Sequence, residues 1–266
     1  MGSWKTFLAF GCVHVPIHDT DGVAWLVEQV RERQPDVLVC LGDMLDAEAV
    51  SRHDKASPRR LIDEYEAADG LCAQLNEAAP KAKKVWLAGN HEQRIQRPEH
   101  AMLSDVLDYR KHLRATRRWK HIDYVQDDDH TFNLGQVTFM HGFAVGTASC
   151  KYESYDYGVE NGLTVYAHTH RPHPVHRISL GTRKLRCHHV NTGTFISREA
   201  VKGPGGYMQA QRTKDWGQGI VVGAACTKRR MDPHYRWRAE LIVNKMMDGS
   251  APEPAFEDRH GVYSPN

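Results

Sequence analysis

Short runs of apolar residues alternate with amphipathic segments along the first half of the chain. Continuous apolar runs are typical of strands that are buried on both faces, and three of them predict strands at 7–10, 37–41 and 85–88. Helical spacing of apolar residues occupies the two segments between these runs. The first segment, 21–33, contains Val23, Leu26, Val27 and Val30. The second follows Ser57 and Pro58, a typical helix start, and contains Leu61, Tyr65, Ala68, Cys72 and Leu75. This β-α-β-α-β order predicts an α/β fold with parallel strands and right-handed crossovers.

The second half of the chain predicts shorter elements. A helix is expected over 98–112, and a loop rich in Gly and Tyr over 144–162. Strands are expected at 122–125, 130–134, 137–140, 163–166, 219–225 and 235–243, with a hairpin from 174–178 and 185–190 and a long loop around 203–206. Since no composition shift marks a boundary, we expect one domain over 1–247. The remainder, 248–266, is expected to be an extended or disordered tail.

Composition narrows the class of protein. The 266 residues, 26% of them charged and 41% hydrophobic, are ordinary for a soluble domain with one core. A net charge of +2 is too small to indicate nucleic-acid binding by itself. The six cysteines are dispersed, and Cys40 and Cys72 lie among apolar neighbours. Because no apolar stretch approaches the length of a signal or membrane segment, we expect a reducing, cytoplasmic location and no membrane partner.

Side chains that can bind metals follow five of the predicted strands. They are Cys12 and His14, Asp43 and Asp46, Asn90 and His91, His141, and His168 with His170. Open α/β sheets place their ligands beyond the carboxyl ends of the strands. Alternate side chains of a strand share a face, so residues 12 and 14, and likewise 168 and 170, are expected to point to one site. A packing role would explain any one of these residues, whereas the ordered set indicates a metal site.

The order of these motifs resembles that of the calcineurin-like metallophosphoesterase superfamily. The shared motifs are GD-x-x-D at 42–46, GNHE at 89–92, His-Gly at 141–142 and H-x-H at 168–170, and the resemblance spans about residues 5–195. It implies a two-sheet β-sandwich flanked by helices and a metal centre that hydrolyses phosphate esters. The chain departs from the family at Ala167, where a glycine is usual, and at Cys12, where the first motif usually has aspartate. A Cys-x-His first motif is similar to that of lariat-debranching enzymes, which cleave 2′,5′-phosphodiesters in RNA.

The resemblance also implies a set of ligands for two divalent cations. One cation would be held by Cys12, His14, Asp43 and His170, and the other by Asp43, Asn90, His141 and His168. Asp43 would bridge them, since two-metal sites hold cations roughly 3.5–4 Å apart. Imidazole, carboxylate and amide ligands suit Mn, Fe or Zn, and a Cys12 thiolate would favour Zn or Fe(II). The alternative for Cys12 is that it packs beside the site without binding metal.

Three further residues receive roles from the same resemblance. His91 is expected to protonate the leaving oxygen, and Asp46 to orient the His91 imidazole. Arg94 is expected to bind a phosphate oxygen, the alternative being a solvated position on a helix face. A rival interpretation is a structural zinc site in the histidine-rich run at 168–189, but its spacing matches no standard finger.

Two basic stretches that contain aromatic residues bear on the substrate. One covers 110–120 and includes Trp119, and the other covers 228–230 and 235–238 and includes Trp237. Such stretches suit nucleic-acid backbones and stacked bases, and a solvated helix end and strand are the alternative. We therefore expect a phosphodiesterase, with nucleic acid as one candidate among phosphate-ester substrates. The alternatives are a phosphomonoesterase or protein phosphatase, and a non-catalytic scaffold of the same fold; the sequence leaves the oligomeric state open.

Overall fold

The structure, a computed structural model, describes residues 3–52, 59–124, 130–146, 149–180, 183–202, 213–227 and 237–250. Its strands are β1 Trp4–Phe10, β2 Val37–Cys40, β3 Lys83–Leu87, β4 Lys120–Ile122, β5 Phe132–Leu134, β6 Val137–Phe139, β7 Leu163–Tyr166, β8 His173–Leu180, β9 Arg183–Asn191, β10 Gly217–Cys226 and β11 Trp237–Met246. Its α-helices are α1 Thr20–Arg33, α2 Leu61–Ala78, α3 Asn90–Ile95, α4 Ser104–Leu107, α5 Tyr109–His112, α6 Ser149–Tyr157 and α7 Arg198–Lys202. Short 3-10 turns occur at Glu48–Val50 and Pro98–Leu103.

The strands form two mixed sheets. The six-stranded sheet has the order β11-β10-β1-β2-β3-β4, in which β1 to β4 are parallel and β10 is antiparallel to β1 and β11. The five-stranded sheet has the order β5-β6-β7-β9-β8, with parallel pairs β6–β7 and β7–β9. The expected parallel β-α-β-α-β start and the α/β two-sheet architecture are confirmed.

Alternation along β1 explains why its sequence is apolar throughout. Phe7 and Ala9 pack in the core between the two sheets, whereas Leu8 and Phe10 pack in the core beneath α1 and α2. Phe7 meets Phe139 of the facing sheet edge-on, with 5.1 Å between ring centroids. Because both faces of this sheet are covered, its central strands need no polar side.

The helices α1 and α2 lie close to their predicted positions. Asp19 begins α1, since its carboxylate accepts a hydrogen bond from the Gly22 nitrogen at 2.8 Å. Cys40 and Cys72 are buried in the core that α1 and α2 cover, as expected. The predicted helix start at 57–58, the loop at 203–206, strand residues 125, 235 and 236, and residues 251–266 of the predicted tail lie outside the described residues.

Two predicted elements differ in the structure. Instead of one helix over 98–112, the chain makes a 3-10 turn and the short helices α4 and α5, and Asp108 starts the second of these by accepting from the Arg110 nitrogen at 3.1 Å. The expected loop over 144–162 contains helix α6, which packs against β7 and β9. Within the described part of the chain, every helix is too short or too polar to cross a bilayer.

Candidate metal centre

The side chains predicted as ligands come together beyond the ends of β1, β2, β3, β6 and β7. Two groups have ligand atoms within 4.8 Å of one another, and both contain Asp43: Cys12, His14, Asp43 and His170 form one group, and Asp43, His141 and His168 form the other. Asn90 adjoins the second group, because its Oδ1 atom lies 3.1 Å from Nε2 of His141. A third group of the same kind consists of His14, Asp46 and His91.

The backbone at these positions is turned rather than extended. Five of the predicted ligands have positive φ angles: Cys12 (51°), His14 (54°), Asp43 (50°), His168 (56°) and His170 (62°). Residues 12 and 14, and likewise 168 and 170, do point to one site, as expected. The expected reason, a shared strand face, is wrong, because left-handed backbone conformations bring these side chains together. Such conformations cost about 1–3 kcal/mol each for residues other than glycine, and they concentrate at functional sites.

Main-chain contacts explain two of the glycines in the motifs. Gly42 has a φ angle of 98°, and a Cβ atom there would lie 2.7 Å from the Gly89 nitrogen and from Nδ1 of His141. A Cβ atom at Gly89 would lie 2.7 Å from the Asp43 nitrogen and overlap the Asp43 carboxylate. The ends of β2 and β3 can thus approach closely enough for Asp43 to sit at the middle of the centre.

Glu92 ties the same two strand ends together. Its buried carboxylate accepts hydrogen bonds from the backbone nitrogens of Asp43 and Leu45, each at 2.9 Å, and of Gly89 at 2.7 Å. From the sequence, Glu92 of the GNHE motif is expected to be structural, and these bonds confirm that role; three residues after the helix start at Gly89, it caps α3.

The first group is oriented through His14. Its Nδ1 atom lies 3.2 Å from Asp46 Oδ1, which leaves Nε2 directed at His170 Nε2, 3.2 Å away, and at Asp43 Oδ2, 3.8 Å away. An imidazole that contacts a carboxylate through one nitrogen and presents the other is the usual arrangement of a metal-binding histidine. Cys12 is fully buried in this group, and its Sγ atom accepts a hydrogen bond from the His168 nitrogen at 3.2 Å.

The second group is oriented through His141. Its Nδ1 atom lies 2.7 Å from the Leu41 carbonyl, and its Nε2 atom lies 3.1 Å from His168 Nδ1 and 3.2 Å from Asp43 Oδ2. Asn90 and His168 are half-buried, whereas the other predicted ligands are buried. Access from solvent to the centre is therefore on the side of this second group.

The electrostatics of the centre favour cation binding. Burial would raise the pKa of Asp43, but the adjacent His141, His91 and His14 outweigh it and hold that pKa well below its usual range. Burial, together with His141, lowers the pKa of His168 to about 3, and burial together with His14 lowers that of His170. These two imidazoles are consequently neutral and keep a lone pair for a metal. By contrast, burial and Asp43 raise the pKa of the Cys12 thiol.

The donor set also fits the two implied cations. In each group, two imidazole nitrogens face each other at 3.1–3.2 Å beside the carboxylate of Asp43. A cation bound between two such nitrogens would accept the lone pairs of both, whereas a hydrogen bond between them uses the lone pair of only one. Mixed imidazole, carboxylate, amide and thiol donors suit Mn, Fe or Zn.

His91, Asp46 and Arg94 form a compact group beside the first set of ligands. His91 Nδ1 lies 2.6 Å from the Asp46 carbonyl oxygen and 3.3 Å from Asp46 Oδ1. Arg94 is 8% exposed, and it approaches His91 Nε2 at 2.9 Å and donates to the Asp46 carbonyl at 3.0 Å. The solvated position considered for Arg94 is therefore excluded, and Asp46 contacts His91 most closely through its backbone oxygen.

The histidine-rich run at 168–189 divides between different places. His168 and His170 belong to the metal centre. His188 packs against Trp237, with 5.1 Å between ring centroids, whereas His173, His176 and His189 contact one another elsewhere on β8 and β9. The described residues of the run therefore do not form one zinc site.

The basic stretches do not present their tryptophans for stacking. Trp119 is buried and donates to Asn76 at 3.0 Å, and Trp237 is buried and donates to the Asn161 carbonyl at 2.9 Å. Arg110 forms ion pairs with Asp108 and Asp123. Residues 228–236 lie outside the described residues. The interpretation that these tryptophans stack on bases is wrong.

No curated protein matches this chain. Among solved structures, Yfce, a phosphoesterase from E. coli, is 16% identical, with a TM-score of 0.38 over 84% of this chain and 93% of that one. Vacuolar Protein Sorting 29 from Cryptosporidium parvum is 13% identical, with a TM-score of 0.41 over 91% of this chain and 99% of that one. The family model of the calcineurin-like phosphoesterases matches residues 5–193, which contain every predicted ligand. The chain therefore belongs to the calcineurin-like phosphoesterase family.

Proposed function

We propose that the protein hydrolyses phosphodiesters with a dinuclear metal centre. The ligands would be Cys12, His14, Asp43 and His170 for one cation, and Asp43, Asn90, His141 and His168 for the other. The observation that carries this proposal is the position of Asp43, whose carboxylate belongs to both groups of converging ligand atoms. A shared carboxylate is what holds two cations at the spacing of a two-metal site.

The protein's own residues divide the remaining work. Bound cations would supply a water nucleophile and neutralise charge on the phosphoryl oxygens. His91 Nδ1 donates to the Asp46 carbonyl oxygen at 2.6 Å, which would hold the imidazole in place and leave Nε2 as the atom that gives a proton to the leaving oxygen. Arg94 donates to that Nε2 atom at 2.9 Å, so on substrate binding it would turn from Nε2 to a phosphoryl oxygen, and Nε2 would then be free to carry the proton.

The engagement of Arg94 favours diesters over monoesters. A phosphomonoester brings about two negative charges at neutral pH, whereas a phosphodiester brings one. The Arg94 guanidinium donates to the Asp46 carbonyl at 3.0 Å, so part of its donor capacity is used within the protein. The lower charge of a diester matches the donors that remain.

The test compares wild type with Asp43→Ala after loading with Mn, Fe(II) or Zn. We expect two cations per wild-type chain and faster hydrolysis of bis-p-nitrophenyl phosphate than of p-nitrophenyl phosphate. Asp43→Ala should lose metal, and turnover should fall by at least about 10³-fold, because the cations that would neutralise charge on the phosphoryl oxygens are lost. Asp63→Ala, which removes an exposed carboxylate on α2, is the matched control.

Three outcomes would contradict the proposal. Full metal content and activity in Asp43→Ala would show that this carboxylate is not shared. Faster hydrolysis of the monoester would indicate a phosphomonoesterase. A wild-type protein that holds two cations and hydrolyses neither ester would indicate a non-catalytic scaffold.

A further inference from the structure

A row of aromatic rings extends outward from the second group of ligands. The ring of Tyr124 meets His141 edge-on, with 5.6 Å between centroids, and Phe143 packs against Tyr124 at 4.6 Å. His130 then contacts Phe143 at 4.8 Å and Tyr157 at 4.5 Å. We call Tyr124, His130, Phe143 and Tyr157 the aromatic wall.

The aromatic wall has a buried back and an accessible front. Tyr124 and His130 are buried, and the Tyr124 hydroxyl donates to the Gly142 carbonyl at 2.8 Å. Phe143 and Tyr157 are half-buried, so part of each residue is open to solvent. Water in contact with such rings is unfavourable, and a flat apolar group that covered them would remove this cost.

The front of the wall begins beside the open side of the metal centre. Phe143 directly follows Gly142, and a Cβ atom at Gly142 would lie 3.3 Å from the Cβ atom of His168, a half-buried ligand. His168 and the other half-buried ligand, Asn90, both contact His141 Nε2 at 3.1 Å. A substrate that enters beside Asn90 and His168 therefore passes the aromatic wall.

Phe143 is held in place by α6, the helix that forms where the sequence predicts a loop. Glu153 of α6 is buried, and its Oε1 atom accepts hydrogen bonds from the backbone nitrogens of Phe143 at 2.6 Å and Ala144 at 2.8 Å. Gly142 has a φ angle of 105°, so the chain turns sharply between the ligand His141 and Phe143. With its backbone fixed in this way and its ring packed on Tyr124 and His130, Phe143 loses little freedom when a ligand stacks on it.

From these contacts we infer that the aromatic wall binds a nucleobase, so that the substrate is a nucleoside phosphodiester. This inference rests on the proposed function and names its substrate class. Stacking of a base on an aromatic side chain contributes about 1–3 kcal/mol and accepts any base. The buried Trp119 and Trp237 cannot provide it, whereas the wall lies next to the centre.

The stacked base belongs to the part of the ester that remains on the phosphate. His91, the proposed proton donor, packs against His14 of the first group, with 4.4 Å between ring centroids. The wall packs against His141 of the second group. A leaving group that faces His91 therefore points away from the wall, and the retained nucleoside points toward it.

The test uses two diesters that share a p-nitrophenolate leaving group. One is the p-nitrophenyl ester of thymidine 5′-phosphate, and the other is p-nitrophenyl ethyl phosphate. The metal-loaded wild type should have the higher kcat/KM with the thymidine ester. Phe143→Leu keeps an apolar side chain without a ring, and it should lower this preference by about 5- to 150-fold, which is 1–3 kcal/mol of stacking. The matched control is Tyr152→Leu, since Tyr152 is 59% exposed on α6 and outside the wall.

Different results separate the inference from the proposed function. Equal kcat/KM values of wild type for the two esters, or equal losses on both in Phe143→Leu, would overturn the inference while hydrolysis itself stands. If the metal-loaded wild type hydrolyses neither ester, the proposed function fails. Binding of thymidine 5′-phosphate and ethyl phosphate, measured by calorimetry, then decides the inference: tighter thymidine binding that Phe143→Leu abolishes supports it, and equal binding overturns it.

Discussion

At the scale of a single residue, His91 lies between the Asp46 carboxylate and the Arg94 guanidinium. Its substitution tests whether it acts as a proton donor or as a metal ligand. His91→Ala should lower turnover by about 10²–10⁴-fold, the usual contribution of a general acid, and leave the metal content unchanged. Turnover of bis-p-nitrophenyl phosphate and elemental analysis provide the two measurements. His112→Ala, which removes an exposed histidine of α5, is the control.

The contrary result would be equally informative about His91. His14, Asp46 and His91 converge closely enough to hold a cation of their own. Loss of metal in His91→Ala would therefore make His91 a ligand and leave the proton donor unassigned.

Cys12 is the residue at which the chain departs from its family. If its sulfur is a ligand, Cys12→Ser should lower the affinity for one of the two cations. The loss should be at least roughly 10–100-fold, which is the loss seen when a residue that only hydrogen-bonds to a ligand is replaced. Cys12→Asp should restore two cations with a stronger preference for Mn, because a hard carboxylate replaces a soft thiolate. Anaerobic titrations with Zn, Fe(II) and Mn measure both effects.

The matched control for this series is Cys72→Ser, a buried cysteine in the core beneath α1 and α2. Its metal affinity should equal that of wild type. The same metal ranking and occupancy in wild type, Cys12→Ser and Cys12→Asp would show that Cys12 only packs beside the centre.

At the scale of elements, the strands and helices that pack on the core are the ones that the sequence predicts correctly. The strands β1, β2 and β3 were predicted because both of their faces are covered, which makes their sequences continuously apolar. Helix α6 was missed because its Ser- and Tyr-rich sequence has no apolar stripe, and a tertiary contact of Glu153 holds it against the loop after His141. The helix predicted over 98–112 is broken where Met102 and Val106 are exposed, without a core to pack on.

Candidate ligands were predictable by residue type and order, but their geometry was not. The motif sequences contain the donors that a metal needs. Positive φ angles at Cys12, His14 and His168 depend on contacts with distant strands, such as the bond from the Cys12 nitrogen to the Gly42 carbonyl at 2.8 Å. The contacts of Tyr124 with His141 and Phe143 could not be predicted from local sequence either. Tyr124 follows β4 and Phe143 follows β6, and these two strands lie in different sheets.

The junction between β3 and α3 gives a prediction at this scale. Gly89→Ala should lower the free energy of unfolding by about 1–3 kcal/mol and disrupt metal binding, because the added methyl group overlaps Asp43. Gly70→Ala makes the same change in the middle of α2, where nothing lies within 4 Å, and should raise stability by up to about 1 kcal/mol.

Urea denaturation and metal analysis of both variants provide the comparison. Opposite signs are expected for the two stability changes. A Gly89→Ala protein with wild-type stability and metal content would show that the strand ends can separate without affecting the centre.

At the scale of the whole molecule, the centre joins the two sheets. Cys12, Asp43 and Asn90 follow strands of the six-stranded sheet, whereas His141 and His168 follow strands of the five-stranded sheet. Cations bound between them would bind the folded state and not the unfolded chain. Their removal should therefore destabilise the entire domain rather than one loop.

This arrangement predicts the effect of chelation on thermal unfolding. At a free metal concentration 100 times the Kd, one cation stabilises by about 2.7 kcal/mol, which corresponds to a Tm difference of about 5–10 °C for a domain of this size. Because EDTA removes both cations, it should lower the Tm of wild type by about 10–20 °C, and Mn or Zn in excess should restore it. Asp43→Ala should show almost no change, and an EDTA-insensitive wild type that had carried two cations would contradict the arrangement.

The positive φ angles of the proposed ligands also have an evolutionary consequence. Replacing His170 or His168 by glycine would remove a ligand and at the same time relieve backbone strain, so the glycine variant should be the more stable protein when no metal is bound. Where metal is scarce, selection for folding alone would therefore push a lineage away from these residues. Where metal is plentiful, the stabilisation of the fold by bound cations would oppose this drift.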